Sequence, residues 1–119
     1  MFVCEKIRAI CQQMPGYVQF VGSHPSARSR DFFDIFLVTD AFRIVPGSTE
    51  FRSLLSSTFE AKRVPLQLIS QISETYAFHS GDFVSVLQMV KPDQHIHDFD
   101  FYFNYVLDFC SHLHSFWNE

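Results

Sequence analysis

Phe32-Phe33-Asp34-Ile35-Phe36-Leu37-Val38-Thr39 is the run on which the fold class turns. Read with period two, it places Phe33, Ile35, Leu37 and Thr39 on one side and Phe32, Asp34, Phe36 and Val38 on the other. Both sides are largely apolar, the pattern of a strand covered on two faces, so a central strand is expected here. Asp40-Ala41 would then connect it tightly to a partner strand over Phe42–Val45. Upstream, Tyr17–Val21 is a short β-type run closed by Gly22-Ser23-His24-Pro25, residues suited to a turn. The polar segment Ser23–Asp31 between the two runs reads as an exposed loop.

Helical spacing surrounds this core. In residues 2–14, Val3, Ile7, Ile10, Cys11 and Met14 fall on one stripe, and Pro15-Gly16 ends the helix. Ser48 is a good N-cap for a helix over roughly 49–60, where Phe51, Leu54, Leu55 and Phe59 share a face and Glu50 favours the dipole. Pro65 opens another helix to about residue 77, with a strand at Val64–Ile69 as the competing reading. Phe83–Val90 fits helix or strand and ends at Lys91-Pro92. A last helix runs from about Asp98, with Asp93 or Asp98 as its cap, to Phe116. The expected fold is therefore α+β, a small mixed or antiparallel sheet packed against three to four helices in a single layer on one face. Residues 1–119 would form a single globular domain.

Composition narrows the function. Apolar residues make up 47% of the 119 and charged residues 18%, which excludes intrinsic disorder. The net charge is −4 and the nine basic residues are scattered, so nucleic-acid binding is not expected. No apolar run reaches the roughly 18 residues a membrane span needs. The opening Met1-Phe2-Val3-Cys4-Glu5-Lys6 lacks the order of a secretory signal, and Cys4, Cys11 and Cys110 form an odd set. A cytoplasmic location with free thiols is expected. Fifteen phenylalanines crowd the chain, and the last helix carries a second apolar stripe of Phe101, Tyr105, Phe109 and Phe116, followed by Trp117. Such a helix needs cover on nearly every side, which points to an interface.

Several constellations bear on chemistry. His95/His97 and His112/His114 are HxH pairs, but neither has a recognised ligand spacing, and no metal site or other cofactor is expected. The carboxylates Asp93, Asp98 and Asp100 beside the first pair favour the imidazolium form. They lack the glycine and glutamate of an EF-hand loop. Arg28 and Arg30 could grip a phosphate or carboxylate. No nucleophile motif accompanies the serines and histidines, and Cys11 lies on a core stripe.

Gly22-Ser23, the loop with Arg28, and Asp34 on the following apolar run stand in the order seen in the minimal nucleotidyltransferase family, which this stretch resembles. The resemblance implies a Gly-Ser turn holding nucleotide phosphates and paired carboxylates on the next strand holding Mg²⁺. Phe36 stands where the second carboxylate would fall, and Val64-Pro65-Leu66 offers no third, so a diverged, inactive nucleotide-binding or small-ligand domain using Gly22, Ser23, Arg28, Arg30 and Asp34 is what it implies. The leading expectation is different. It is a non-enzymatic acidic interaction module that self-associates as a dimer and binds a protein partner, a class that includes accessory and immunity-type proteins.

Overall fold

The structure is a computed structural model that describes residues 2–14, 27–91 and 94–113. Among the described residues every regular element is helical, and the expected sheet is absent. The elements are α1 (Phe2–Gln12), α2 (Ser29–Phe42), α3 (Thr49–Ala61), a 3-10 helix (Leu66–Thr75), α4 (Tyr76–Ser80), α5 (Phe83–Met89) and α6 (Phe99–Ser111). No helix among them is long and apolar enough to cross a membrane.

The decisive correction lies in α2. The run read as a central strand over Phe32–Thr39 is the middle of a fourteen-residue helix. Its buried positions are Phe32, Phe33, Ile35 and Thr39, with Phe36 packed against the core, and that spacing follows 3.6 residues per turn. A run in which Asp34 is the one charged residue satisfies both periods, so periodicity could not separate them. Helix α2 packs against α1, α5 and α6 and keeps an outward side at Arg30, Leu37 and Asp40, so the two-sided cover expected of a central strand is not what the run has. Phe42–Val45 is not a partner strand either. Arg43 adopts a left-handed conformation (φ 51°) and the Ile44 N–H bonds the Thr39 carbonyl at 3.2 Å, a close that ends the helix and turns the chain. The Tyr17–Val21 strand lies outside the described residues. Asp34 lies on α2, so the strand that the nucleotidyltransferase likeness needs beneath it is not there.

Other elements follow their local signals. In α1, Val3, Cys4, Ile7, Ile10 and Cys11 are buried, the stripe expected. Ser48 caps α3 by accepting from the Phe51 N–H at 3.1 Å, and Asp98 caps α6 by accepting from the Phe101 N–H at 3.1 Å. Each satisfies one of the amide groups that a helix start leaves unpaired. Helix α3 closes as α2 does, on a left-handed arginine, Arg63 (φ 56°), with the Val64 N–H on the Phe59 carbonyl at 3.0 Å. Glycine is the common residue at such a position. Phe83–Val90 resolves as helix, α5.

The segment after Pro65 is neither the strand nor the α-helix weighed for it. Three residues per turn stack every third side chain in one row, and here Ile69, Ile72 and Thr75 form that row against the core while the residues between them face outward. From Tyr76 the chain relaxes into α4, and the next inward residue is His79, four positions on.

Aromatic rings join the layers. Phe32 stacks on Phe103 with centroids 5.3 Å apart and meets Phe99 edge-on at 5.4 Å. Phe33 meets Tyr102 at 5.1 Å, Phe83 reaches Phe99 at 5.4 Å, and Phe51 meets Phe109 at 5.4 Å. Offset and edge-to-face pairs of this kind contribute about 0.5–1.5 kcal/mol each beyond area burial. They fix α2, α3, α5 and α6 around one cluster.

Candidate functional site

Two features of the described residues are candidates for function, a polar cluster at the start of α2 and a cleft of mixed apolar and polar lining at its end.

The polar cluster is built where α2 begins against α1 and the segment containing α4. Asp31 is almost fully buried, and its carboxylate is held by Lys6 Nζ at 3.1 Å and Arg28 Nε at 2.5 Å. Asp34, one turn on, accepts from Lys6 at 3.3 Å and faces Arg30 Nε at 3.7 Å. A buried carboxylate is stable only when paired and hydrogen-bonded, and Asp31 is both. Lys6 is held above its ordinary pKa: burial works against its charge, but the hydrogen bonds and attraction of Asp31 and Asp34 outweigh it.

His79 completes the cluster. It has no exposed surface, its ring lies 5.1 Å from Phe32 and 4.9 Å from Phe78, and its Nδ1 accepts the backbone N–H of Arg28 at 2.9 Å. The next amide, that of Ser29, donates to Asp82 Oδ1 at 3.3 Å. Together His79 and Asp82 cap α2 from a distant part of the chain, in place of the local side chain that usually does so. Burial pushes the His79 pKa down to about 4, with Asp82 and Asp31 opposing and Arg28 assisting.

That geometry limits the chemistry. Because Nδ1 accepts from an amide, the ring proton sits on Nε2, and the ring has no free lone pair with which to take a proton or bind a cation. Nε2 and the nearby Ser29 Oγ are both buried without hydrogen-bond partners. A Ser-His couple needs the opposite polarity, with a carboxylate accepting from Nδ1 and a basic Nε2. The arginines are also committed. Arg28 and Arg30 each face a carboxylate of the same chain, Asp31 and Asp34. Gly22 and Ser23 lie outside the described residues, while Arg28, Arg30 and Asp34 do come together, Arg28 on Asp31, Asp34 on Lys6 and Arg30 on Asp34. His79, Asp82 and Lys6 were not legible in the sequence, since each meets its partner across at least 25 residues of chain.

The remaining titratable candidates are inert or solvated. Cys4, Cys11 and Cys110 are free and buried. Desolvation raises all three, Cys110 to about 12, which disfavours the reactive thiolate. His97 stacks on Phe101 with centroids 3.8 Å apart, His95 lies 4.6 Å from His97, and His112 is exposed. No group of three or more metal-ligating side chains occurs among the described residues. His114 is not among them.

The second stripe of α6 meets its own chain. Phe109 is buried against Phe51; Tyr105 meets Phe36 at 5.0 Å and its hydroxyl bonds Thr39 Oγ1 at 2.6 Å; Phe101 meets Phe36 at 5.0 Å and keeps some exposure. Phe116 and Trp117 lie outside the described residues.

Apolar surface emerges elsewhere. At the end of α2, Phe42 is 75% exposed and Val45 62% exposed. Beside them Val3, Ile44, Val45, Phe51 and Leu54 line a cleft of about 300 Å³, to which Ser48 and Glu50 contribute polar atoms. On α5, Val84, Leu87 and Met89 also face outward. Nothing in the sequence separated Phe42 from the core phenylalanines; it is the last residue of α2, where the chain turns at Arg43. No protein-family model, curated protein or solved structure matches the chain.

Proposed function

We propose that this chain is a non-enzymatic interaction module that self-associates and binds protein through apolar side chains carried on its surface. The observation that carries this reading is Phe42. A benzyl group three-quarters exposed, next to an exposed valine and a partly apolar cleft, is a cost in water that protein contact removes. Aromatic side chains next to shallow pockets are the usual anchors of protein interfaces.

Charge supports a protein partner over a nucleic acid. The chain carries −4 overall, and in the polar cluster Lys6, Arg28 and Arg30 are spent on Asp31 and Asp34. Phosphate neutralisation needs unpaired cations in a row, which this arrangement does not supply. Three free thiols suit a reducing, cytoplasmic compartment.

Sedimentation velocity across a wide concentration range tests the reading. A sedimentation coefficient that climbs with concentration is expected. A constant monomer value up to the highest soluble concentration would overturn it.

A further inference from the structure

The self-association just proposed has a more specific form, which rests on that reading. The patch at the end of α2 contains both halves of a contact. Phe42 and Val45 project from it, and the cleft lined by Val3, Ile44, Phe51 and Leu54 recedes beside them. A dry apolar cavity of about 150 Å³ is enough to hold a benzene ring. A cleft of about 300 Å³ therefore admits a benzyl group with room to spare. Phe42 does not fill its own cleft: it is not among the residues that line it, and its ring stands 75% exposed at the end of α2, next to the left-handed Arg43.

The charges at the patch are equally matched and equally unused. Arg43 follows Phe42, Glu50 lines the cleft, both are exposed, and neither enters an ion pair among the described residues. Arg43 also stands at a position where glycine would avoid the cost of a positive φ (51°). A twofold interface brings the same surface of two molecules together, so it requires a patch that complements itself. A projecting ring with a cleft, and a cation with an anion, meet that requirement.

We propose that two copies of this chain pair about a twofold axis at the end of α2, Phe42 of each copy entering the cleft of the other. Arg43 of one copy then faces Glu50 of the other, twice per dimer. The ring supplies most of the affinity and the charges set the register.

Sedimentation equilibrium of the full chain and a set of variants tests this, with thermal unfolding run on each variant to check that it folds. Phe42→Ser is expected to raise the dimer dissociation constant about 30-fold or more, the size of a central interface anchor. Arg43→Glu and Glu50→Arg should each weaken the dimer by placing like charges opposite one another. The double variant Arg43→Glu/Glu50→Arg should regain most of the lost affinity. Arg43→Gly relieves the strained backbone, so it should unfold at an equal or higher temperature while dimerising more weakly. A native chain that stays monomeric would remove self-association itself. A native dimer indifferent to Phe42→Ser, or single charge reversals that the double variant fails to rescue, would overturn this interface and leave self-association standing.

Discussion

The backbone N–H of Arg28 donates to Nδ1 of His79 at 2.9 Å, so a fully buried imidazole caps the helix at the centre of the fold from 51 residues away. The bond exists only while His79 is neutral, since the imidazolium has a donor at both nitrogens. The unfolded chain, where this residue titrates at its ordinary 6.5, takes up the proton first, and the folded chain does so only near 4. Stability contributed by the neutral ring is thus complete above pH 6.5 and is lost as pH falls through that window, by about 3 kcal/mol in all. Urea midpoints measured from pH 7.5 to 4 should fall accordingly. In His79→Asn, whose amide oxygen can take the place of Nδ1, this part of the pH dependence should vanish; an unchanged slope would refute the role.

The ion pairs around Asp31 should respond unequally to the removal of their two sides. Asp31→Asn leaves Lys6 and Arg28 with enough exposure to rehydrate, so a loss of about 1–2 kcal/mol is expected. Lys6→Met/Arg28→Met instead strands a carboxylate that is only 4% exposed, for which about 3–5 kcal/mol is expected. Equilibrium urea denaturation distinguishes the two, and equal losses would show that Asp31 is less enclosed than described.

Legibility followed the range of the interactions. Ser48 and Asp98 announced their helices because a cap acts on an amide three residues away, and the stripe of α1 was readable because one face alone is apolar. The run Phe32–Thr39 misled because its β-branched Ile35, Val38 and Thr39 favour a strand locally, while the choice was made by packing against α1, α5 and α6. Leu66–Thr75 showed helical spacing, but the inward row Ile69, Ile72 and Thr75 needs period three, which a few residues do not separate from 3.6. The polar cluster was legible only in part: Arg28, Arg30 and Asp34 stood out, but Lys6, Asp31 and His79 come together with them only once the chain has folded.

Thiol chemistry gives a direct check on burial. Cys4, Cys11 and Cys110 should be silent to a thiol reagent at pH 8 in the native protein and all three should react in strong urea. Fast labelling of any one in native buffer would place it at the surface.

Phe32 has no exposed surface and lies among His79, Phe99 and Phe103, so Phe32→Ala should cost about 3–5 kcal/mol, among the largest single losses available in this core. Calorimetric or denaturant unfolding reads this loss. A change below 1 kcal/mol would mean that the aromatic layer collapses to fill the space.

Phe42 and its surroundings, on this proposal, bring two chains together. Static light scattering on the native protein, at concentrations rising from micromolar to several hundred micromolar, measures this directly. The predicted result is a weight-average mass that rises from 13.9 kDa towards twice that value and returns to the monomer mass in Phe42→Ser. A mass that stays at the monomer value over the whole range would contradict it.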